Sequence, residues 1–537
     1  MKKQSTQKGF AVLSFAGIAV KVISLVYLYF LINILGSTGY AVYMEAYQIY
    51  VFVFVLTNSG IPVAISKLIS ELFALGYYKD AVKSFRIARK LLFILGIVMS
   101  IVMFILARPL TRAMNVDRSY LSIMALAPAI ILTSISSVYR GYFQGRENMT
   151  PTAVSQIIEQ IANAVFTIVF AAMFIKYGIE KGCAGGTIGT TAGSLLSVIY
   201  LITFYRKNNI IYVPKGYKRT GKRRFTNAQL LKKIINYGLP ITISVGMTYA
   251  GNLVDLANTI SRLMAGGFSK DQATILYGSL SKYQQLMNVP IAIITSLAAA
   301  VLPAIASAGA LKNREAVIRK VKFAFKVCFL IAVPSAFGLS ILSKQIFTLV
   351  FSRRYIGGST IMLYGSSILI FMSIVQIQIS ILQGMGKLYT ATLYSALGIT
   401  AKIVTNYFLI SIPGINIYGT IIGSAVGFTV TIVLNSILMV RSLKISPKFF
   451  TLIFKPILSS CFMNIIIFFI VKLSSLVLPS QRYIANMFII FVCVVVGIYS
   501  YLLSTIILGG INKSDVSSLP NKFLRFIPRW MLCLLRN

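Results

Sequence analysis

Runs of about twenty apolar residues recur along nearly the whole chain, separated by short polar stretches. A helix rises 1.5 Å per residue, so each run matches the hydrocarbon thickness of a bilayer. Inside hydrocarbon every backbone N–H and C=O needs an internal partner, which makes such runs helical. The runs fall at about 10–35, 41–69, 87–107, 120–139, 151–175, 183–204, 235–264, 276–306, 323–349, 356–382, 389–411, 417–440, 451–474 and 484–509. The expected fold class is an all-α polytopic membrane protein with about 14 transmembrane helices. The composition agrees: 57% of the 537 residues are hydrophobic, and no polar stretch is long enough for an aqueous domain. Lys2, Lys3 and Lys8 before the first run resemble the start of a signal peptide. The run continues too far for one and lacks a small-residue cleavage site, so it reads as a retained first helix.

The chain has 52 Lys+Arg against 11 Asp+Glu, a formal net charge of +41. The basic residues sit mostly in alternate loops: 79–90, 140–148, 206–233, 312–326, 384–387, 441–455 and the tail from Lys513. The other loops are shorter and less basic. That asymmetry is the positive-inside pattern, assisted by anionic lipid headgroups, and it excludes nucleic acid as the reason for the charge. It places both termini and the 206–233 loop in the cytoplasm. There are no histidines, and the five cysteines are dispersed, so neither imidazole chemistry nor a metal or disulfide framework is expected. Gly216–Arg223, GYKRTGKR, nearly matches a phosphate-binding loop. Arg223 stands where a magnesium-binding hydroxyl belongs and no strand precedes it, so no nucleotide site or cofactor is expected.

Segments recur at a nearly fixed offset. Tyr47–Gln48 in EAYQIYVFVF matches Tyr283–Gln284 in SKYQQLMNV, Asp80 matches Glu315, and Gln144 in YFQGREN matches Gln383 in ILQGMGK; the offsets are 236, 235 and 239 residues. Two parallel six-helix halves follow, related by an axis along the membrane normal, with two helices outside the repeat. The expected divisions are residues 1–205 (first lobe), 206–234 (basic linker), 235–441 (second lobe) and 442–537 (two further helices and tail).

The polar residues inside the apolar runs share helix faces. Asn252, Asp255, Thr259 and Arg262 are spaced by three, four and three, and Lys282, Gln285 and Asn288 continue the pattern in the next helix. Lys21 lies on a face with Ser24, Glu45 with Gln48, and Gln156 with Gln160, Asn163 and Thr167, close to Glu159. Ionisable side chains in a span usually face a bundle interior or a water-filled cavity. The expected substrate-binding residues of a central cavity are therefore Lys21, Glu45, Gln48, Gln156, Asn163, Asn252, Asp255, Arg262, Lys282 and Gln285. Other readings stay open: a packing pair for Asp255 and Arg262, snorkelling for Lys21, a surface position for Glu45, and interhelical bonding for the Gln/Asn stripe. Pro62, Pro290 and Pro303 interrupt apolar runs and are the expected hinges.

SGIPVAISKLISE, YRGYFQGRENMTPTAVSQIIEQ, NLVDLANTISRL with AGGFSKDQATILYGSLS, and LPAIASA resemble one family over the whole chain. This is the stage V sporulation protein B and MurJ-type lipid II flippase family, in the polysaccharide-transport branch of the multidrug/oligosaccharidyl-lipid/polysaccharide exporter superfamily. The resemblance implies a V-shaped pair of six-helix lobes plus two helices. It also implies flipping of an undecaprenyl-diphosphate-linked precursor from inner to outer leaflet, with cationic residues of the first, second and eighth helices on the diphosphate and a lipid-tail groove at the C-terminal pair. The chain departs from the family at Tyr27–Leu28, where members often carry Arg, and at Asn163, where Arg often follows IEQ.

The expected function is thus a flippase for a lipid-linked glycan precursor, lipid II foremost, working by alternating access as a monomer and making or breaking no bond. The alternatives are a flippase for another lipid-linked polysaccharide and a cation-coupled multidrug exporter. The exporter would need a carboxylate site, for which only Glu45, Glu159 and Asp255 stand inside spans. A membrane glycosyltransferase is disfavoured by short outer loops whose only acids are Asp117, Glu180 and Asp271.

Overall fold

The computed structural model describes residues 6–74, 76–146, 148–207, 225–310, 314–351, 358–443, 449–477 and 483–511. The phosphate-loop-like stretch, most of the basic linker and the basic tail lie outside the described residues. Helix is the regular structure throughout, and no strand occurs among the described residues. The first helices are α1 (Thr6–Asn58), α2 (Gly60–Ala74), α3 (Tyr78–Ala113), α4 (Tyr120–Gly145), α5 (Thr150–Phe174), α6 (Ile179–Lys207), α7 (Asn227–Ala265) and α8 (Lys270–Ala310). There follow α9 (Arg314–Ile341), α10 (Ser343–Phe351), α11 (Ser359–Gly365), α12 (Ile368–Gly384), α13 (Leu388–Leu409), α14 (Gly419–Leu443), α15 (Phe449–Val477) and α16 (Tyr483–Ile507).

Nine stretches among the described residues are long and apolar enough to cross a membrane, or ten if α11 and α12, bent by 51°, form one broken span. The chain is a multi-pass membrane protein. The first stretch, Phe15–Phe73, has 59 residues and room for two crossings. Adding α7, α8 and α13 by length (39, 41 and 22 residues) makes the count compatible with fourteen.

Packing divides the chain into two compact units, Met1–Gly278 and Ser279–Asn537, with the boundary inside α8. In the first unit, α1 is two helices joined at Gly36, within the expected 36–40 connection; its backbone is non-helical there, with a φ of 73° that is open to glycine but costly for a side chain. A second interruption comes at Ser59, three residues before Pro62, which lies in the first turn of α2 where a missing N–H is harmless. Polar side chains stitch this break. Ser59 Oγ donates to the Val55 carbonyl at 2.7 Å, Thr57 Oγ1 to the Phe54 carbonyl at 2.9 Å, and Ser137 Oγ of α4 to Asn58 Oδ1 at 2.7 Å. The helical ladder itself holds up to the break, where the Ser59 N–H donates to the Val55 carbonyl at 3.1 Å.

Gly60 then lets α2 meet α7 backbone to backbone: a Cβ there would stand 2.0 Å from the Gly238 carbonyl oxygen and 2.4 Å from Thr242 Oγ1. The core beneath joins Ile65, Leu68 and Leu72 of α2 to Phe85 of α3, Tyr142 and Phe143 of α4, Leu201 of α6 and Ile234 of α7.

The fifth and sixth helices of each half are packed by the same device. In the first unit, Gly189 and Gly193 of α6 lie against Thr167 and the Glu159 carbonyl of α5. In the second, Gly398 of α13 lies against Thr431 of α14, and Gly423 and Gly427 of α14 against Asn406 and Lys402 of α13. Small residues let backbones approach where lipid gives helices no hydrophobic reason to associate. The second unit's main core runs through Ile305, Phe325, Phe329, Ile377, Ile381 and Met439. A smaller one joins Leu342, Met463, Ile467 and Cys493, fixing α15 and α16 to α9. Pro290 and Pro303 lie inside α8, which continues through both.

Gly60→Ala is expected to lower the unfolding free energy in detergent by about 1–3 kcal/mol, the usual cost of overpacking. Gly17→Ala, with nothing within 4 Å of the added methyl, is expected to leave it unchanged. Thermal unfolding followed by circular dichroism reads both.

Candidate functional site

The face expected on α7 is present in one unbroken helix. It is graded: Asn252 is exposed, Arg262 half-buried, Asp255 only 7% exposed and Thr259 fully buried. A carboxylate and a guanidinium two turns apart thus flank a buried threonine within a long, largely apolar helix. On α1, Lys21 is exposed but stands apart from the outward row of Phe15, Val22, Val26 and Phe30. It is one turn from Ser24, whose Oγ donates to the Val20 carbonyl at 2.8 Å and accepts from Gln160 Nε2 of α5 at 3.0 Å. Gly17, one turn earlier, leaves the adjacent space open. Lys21 therefore borders the polar contact between α1 and α5.

Further along α1, Glu45 is 1% exposed, and its Oε1 accepts no hydrogen bond among the described residues. It lines a small cavity with Asn115, Arg118, Lys270, Asp271 and Thr274. Gln48, one turn on, is half-buried, as is Gln156 on α5. Asn163 is buried, and its Oδ1 accepts from Thr167 Oγ1 at 2.9 Å and from Thr190 Oγ1 of α6 at 3.3 Å. That amide is engaged in joining α5 to α6. Gln48 and Gln156 keep more exposed surface and are better placed to meet a cargo.

In the second unit, Lys282 is buried to 1% exposure, with its Nζ 5.9 Å from the centroid of the Phe351 ring. A cation over an aromatic face recovers part of its lost hydration. The next residue, Tyr283, donates its hydroxyl to the Gly365 carbonyl at 2.7 Å. Gln285 is half-buried. Among the described residues, no group of three or more His, Cys, Asp or Glu side chains is arranged to hold a metal.

One residue that sequence reasoning assigns to a loop belongs inside. Arg140 lies within α4, not in the basic connection after it. Its Nη2 pairs with Glu159 Oε2 of α5 at 2.5 Å and donates to Ser197 Oγ of α6 at 2.9 Å, while its Nε donates to Ser155 Oγ at 2.9 Å. Ser194 Oγ donates to the other carboxylate oxygen at 3.2 Å. Both ions are mostly buried and fully engaged, so the pair fastens three helices and takes Glu159 out of the pool of available carboxylates. The sequence signal is the helical continuation through YRGYFQG; an arginine five residues before a helix end is hard to tell from a loop base.

Residues 6–308 match the family described as polysaccharide biosynthesis protein. The chain is similar to stage V sporulation protein B of Bacillus subtilis (strain 168), with 27% identity over 459 residues, 83% of this chain and 86% of the relative. It is also similar to the lipid II flippase MurJ of the same organism, with 22% identity over 454 residues, 81% of this chain and 82% of the relative. Among solved structures, lipid II flippase MurJ in an inward closed conformation superposes with a TM-score of 0.67 at 16% identity, covering 93% of this chain and 98% of that one. At that identity the likeness establishes the fold.

Arg140→Ala and Glu159→Ala are each expected to lower stability by about 2 kcal/mol, because each strands a charged hydrogen-bonding partner. The double variant is expected to lose clearly less than the sum. A double-mutant cycle on unfolding in detergent measures the difference.

Proposed function

The chain belongs to the polysaccharide biosynthesis protein family, and from that premise we propose that it is a flippase for an undecaprenyl-diphosphate-linked glycan precursor, most specifically lipid II. The observation that carries this reading is positive charge within membrane-spanning helices: Arg262 on the polar face of α7 and Lys21 beside the Ser24–Gln160 contact. A headgroup of sugars and diphosphate cannot enter hydrocarbon unless polar groups replace its water. Arg262 and Lys21 supply charge-assisted hydrogen bonds to phosphate oxygens. Asn252, Gln48 and Gln156 supply uncharged partners for sugar hydroxyls, while the polyprenyl tail stays in lipid. Lys282 and Gln285 of the second unit complete the proposed set.

The chain works by alternating access, as a monomer, without making or breaking a bond. Rocking draws on Pro62, at the Ser59 break, and on Pro290 and Pro303 within α8. The two halves of the repeat act as the lobes, joined by the 206–234 linker, with both termini in the cytoplasm and the basic loops against anionic lipid. A membrane potential negative inside favours outward movement of an anion by about 2.3 kcal/mol per charge per 100 mV. The surplus of cations over available carboxylates supports an anionic cargo over a cation-coupled drug exporter.

A different lipid-linked glycan is the second reading. It is favoured by Tyr27 and Leu28, both buried, and by Asn163, buried and bonded to Thr190, where the family often has cavity arginines.

Expressed in a bacterium depleted of its lipid II flippase, the chain is expected to restore growth. Arg262→Ala is expected to reduce precursor flipping about tenfold or more at equal membrane abundance, the usual cost of one charge-assisted contact. Arg262→Lys should recover part of it. Growth rescue and outer-leaflet precursor report both. Failure of the intact, membrane-located protein to rescue points to the second reading.

A further inference from the structure

Two ion pairs of opposite polarity join the turn before α4 to the first turn of α8. Lys270 Nζ lies 2.5 Å from Asp117 Oδ2, and Arg118 Nη1 lies 2.8 Å from Asp271 Oδ1. One side reads acid then base, the other base then acid, so only one register satisfies all four charges. A third tie is uncharged: Asn115 Nδ2 donates to Ser261 Oγ of α7 at 3.2 Å. Asn115 has a φ of 58°, a left-handed conformation that asparagine tolerates better than most side chains. Directly beneath lies the small cavity lined by Val42, Glu45 and Thr274. The Glu45 carboxyl is buried in that cavity, whose lining also includes Arg118, Lys270 and Asp271.

We propose that Asp117–Lys270 and Arg118–Asp271 form a latch that closes this end of the first unit over Glu45 and that releases when the protein changes state. By loop charge this is the outer end. The four side chains are 40–62% exposed. An exposed pair shifts an equilibrium by no more than about fivefold, so the two together hold the closed form by about tenfold or somewhat more. That is enough to set a resting state and weak enough to be undone by cargo or by the membrane field. A fixed structural clamp of similar reach would more economically use buried or apolar contacts. The proposal rests on the transport reading only in requiring an open state and a closed one.

The test is the reactivity of a thiol placed under the latch. Thr274→Cys is introduced with Cys461 and Cys533 changed to Ser, and its reaction with an impermeant thiol reagent is timed in membranes open to both faces, without cargo. Asp117→Lys and Asp271→Lys are each expected to speed labelling several-fold. Combining Asp117→Lys with Lys270→Asp is expected to restore the slow rate to within about twofold. With all four charges intact, raising salt from about 0.05 M to about 1 M is expected to speed labelling too, because exposed pairs are screened; this needs no charge variant to fold. Unchanged labelling in the reversals and in salt, or a swap as reactive as the single reversals, overturns the latch. A chain that moves no lipid-linked glycan yet shows this charge dependence loses the transport reading and keeps the latch.

Discussion

A charge inside hydrocarbon is tolerated only where something matches it, and this structure depends on how few acids it has for the purpose. The sequence has 11 Asp+Glu against 52 Lys+Arg. Glu159 is taken up by Arg140, and Asp117 and Asp271 by Lys270 and Arg118. Glu71 and Glu315 lie within 4 Å of Lys67 and Arg319, one turn away on their own helices. Among carboxylates within spans, Glu159 is thus paired, while Glu45 and Asp255 are both buried. On the proposed flippase reading, that shortage of acids is what suits Lys21, Arg262 and Lys282 to a diphosphate.

Backbone satisfaction sets the second constraint, and glycine is how the chain meets it. Beside the break at Ser59, hydroxyls bond a helix carbonyl and the Asn58 amide, and Gly60 lets α2 pack against α7 at backbone distance. Where α5 meets α6 and α13 meets α14, glycines opposite threonines and asparagines allow contact at backbone distance. The device recurs at α5–α6 in the first unit and at α13–α14 in the second. It places polar side chains in both α5–α6 and α13–α14 seams, so polarity in a span is as often a packing device as a cargo contact. Asn163 is the instructive case, since its amide is held between Thr167 and Thr190.

The helical, multi-pass architecture was legible because runs of about twenty apolar residues admit no other fold in lipid. The α7 face was legible because a period of 3.6 exposes itself whenever four polar residues fall in an apolar run. Other features depended on tertiary contact. Arg140 read as a loop base because what makes it interior is Glu159, nineteen residues away on another helix. The pairing of Asp117 with Lys270 spans 153 residues and leaves no local trace beyond two loop charges of opposite sign. The break at Ser59 is obscured because apolar composition runs straight through it, whereas the junction at Gly36 is marked by its own polarity and joins two helices as expected. The burial of Lys282 against Phe351 could not be read from its own helix, because Phe351 lies on another.

The most direct test of the account is translocation by the purified protein in proteoliposomes, using a fluorescent undecaprenyl-diphosphate-linked glycan and an imposed membrane potential. The account predicts transfer faster than in empty liposomes, accelerated when the compartment that the headgroup leaves is negative and slowed when the potential is reversed. Transfer no faster than in empty liposomes, or transfer indifferent to the sign of the potential, would contradict an anionic cargo moved through a cationic interior.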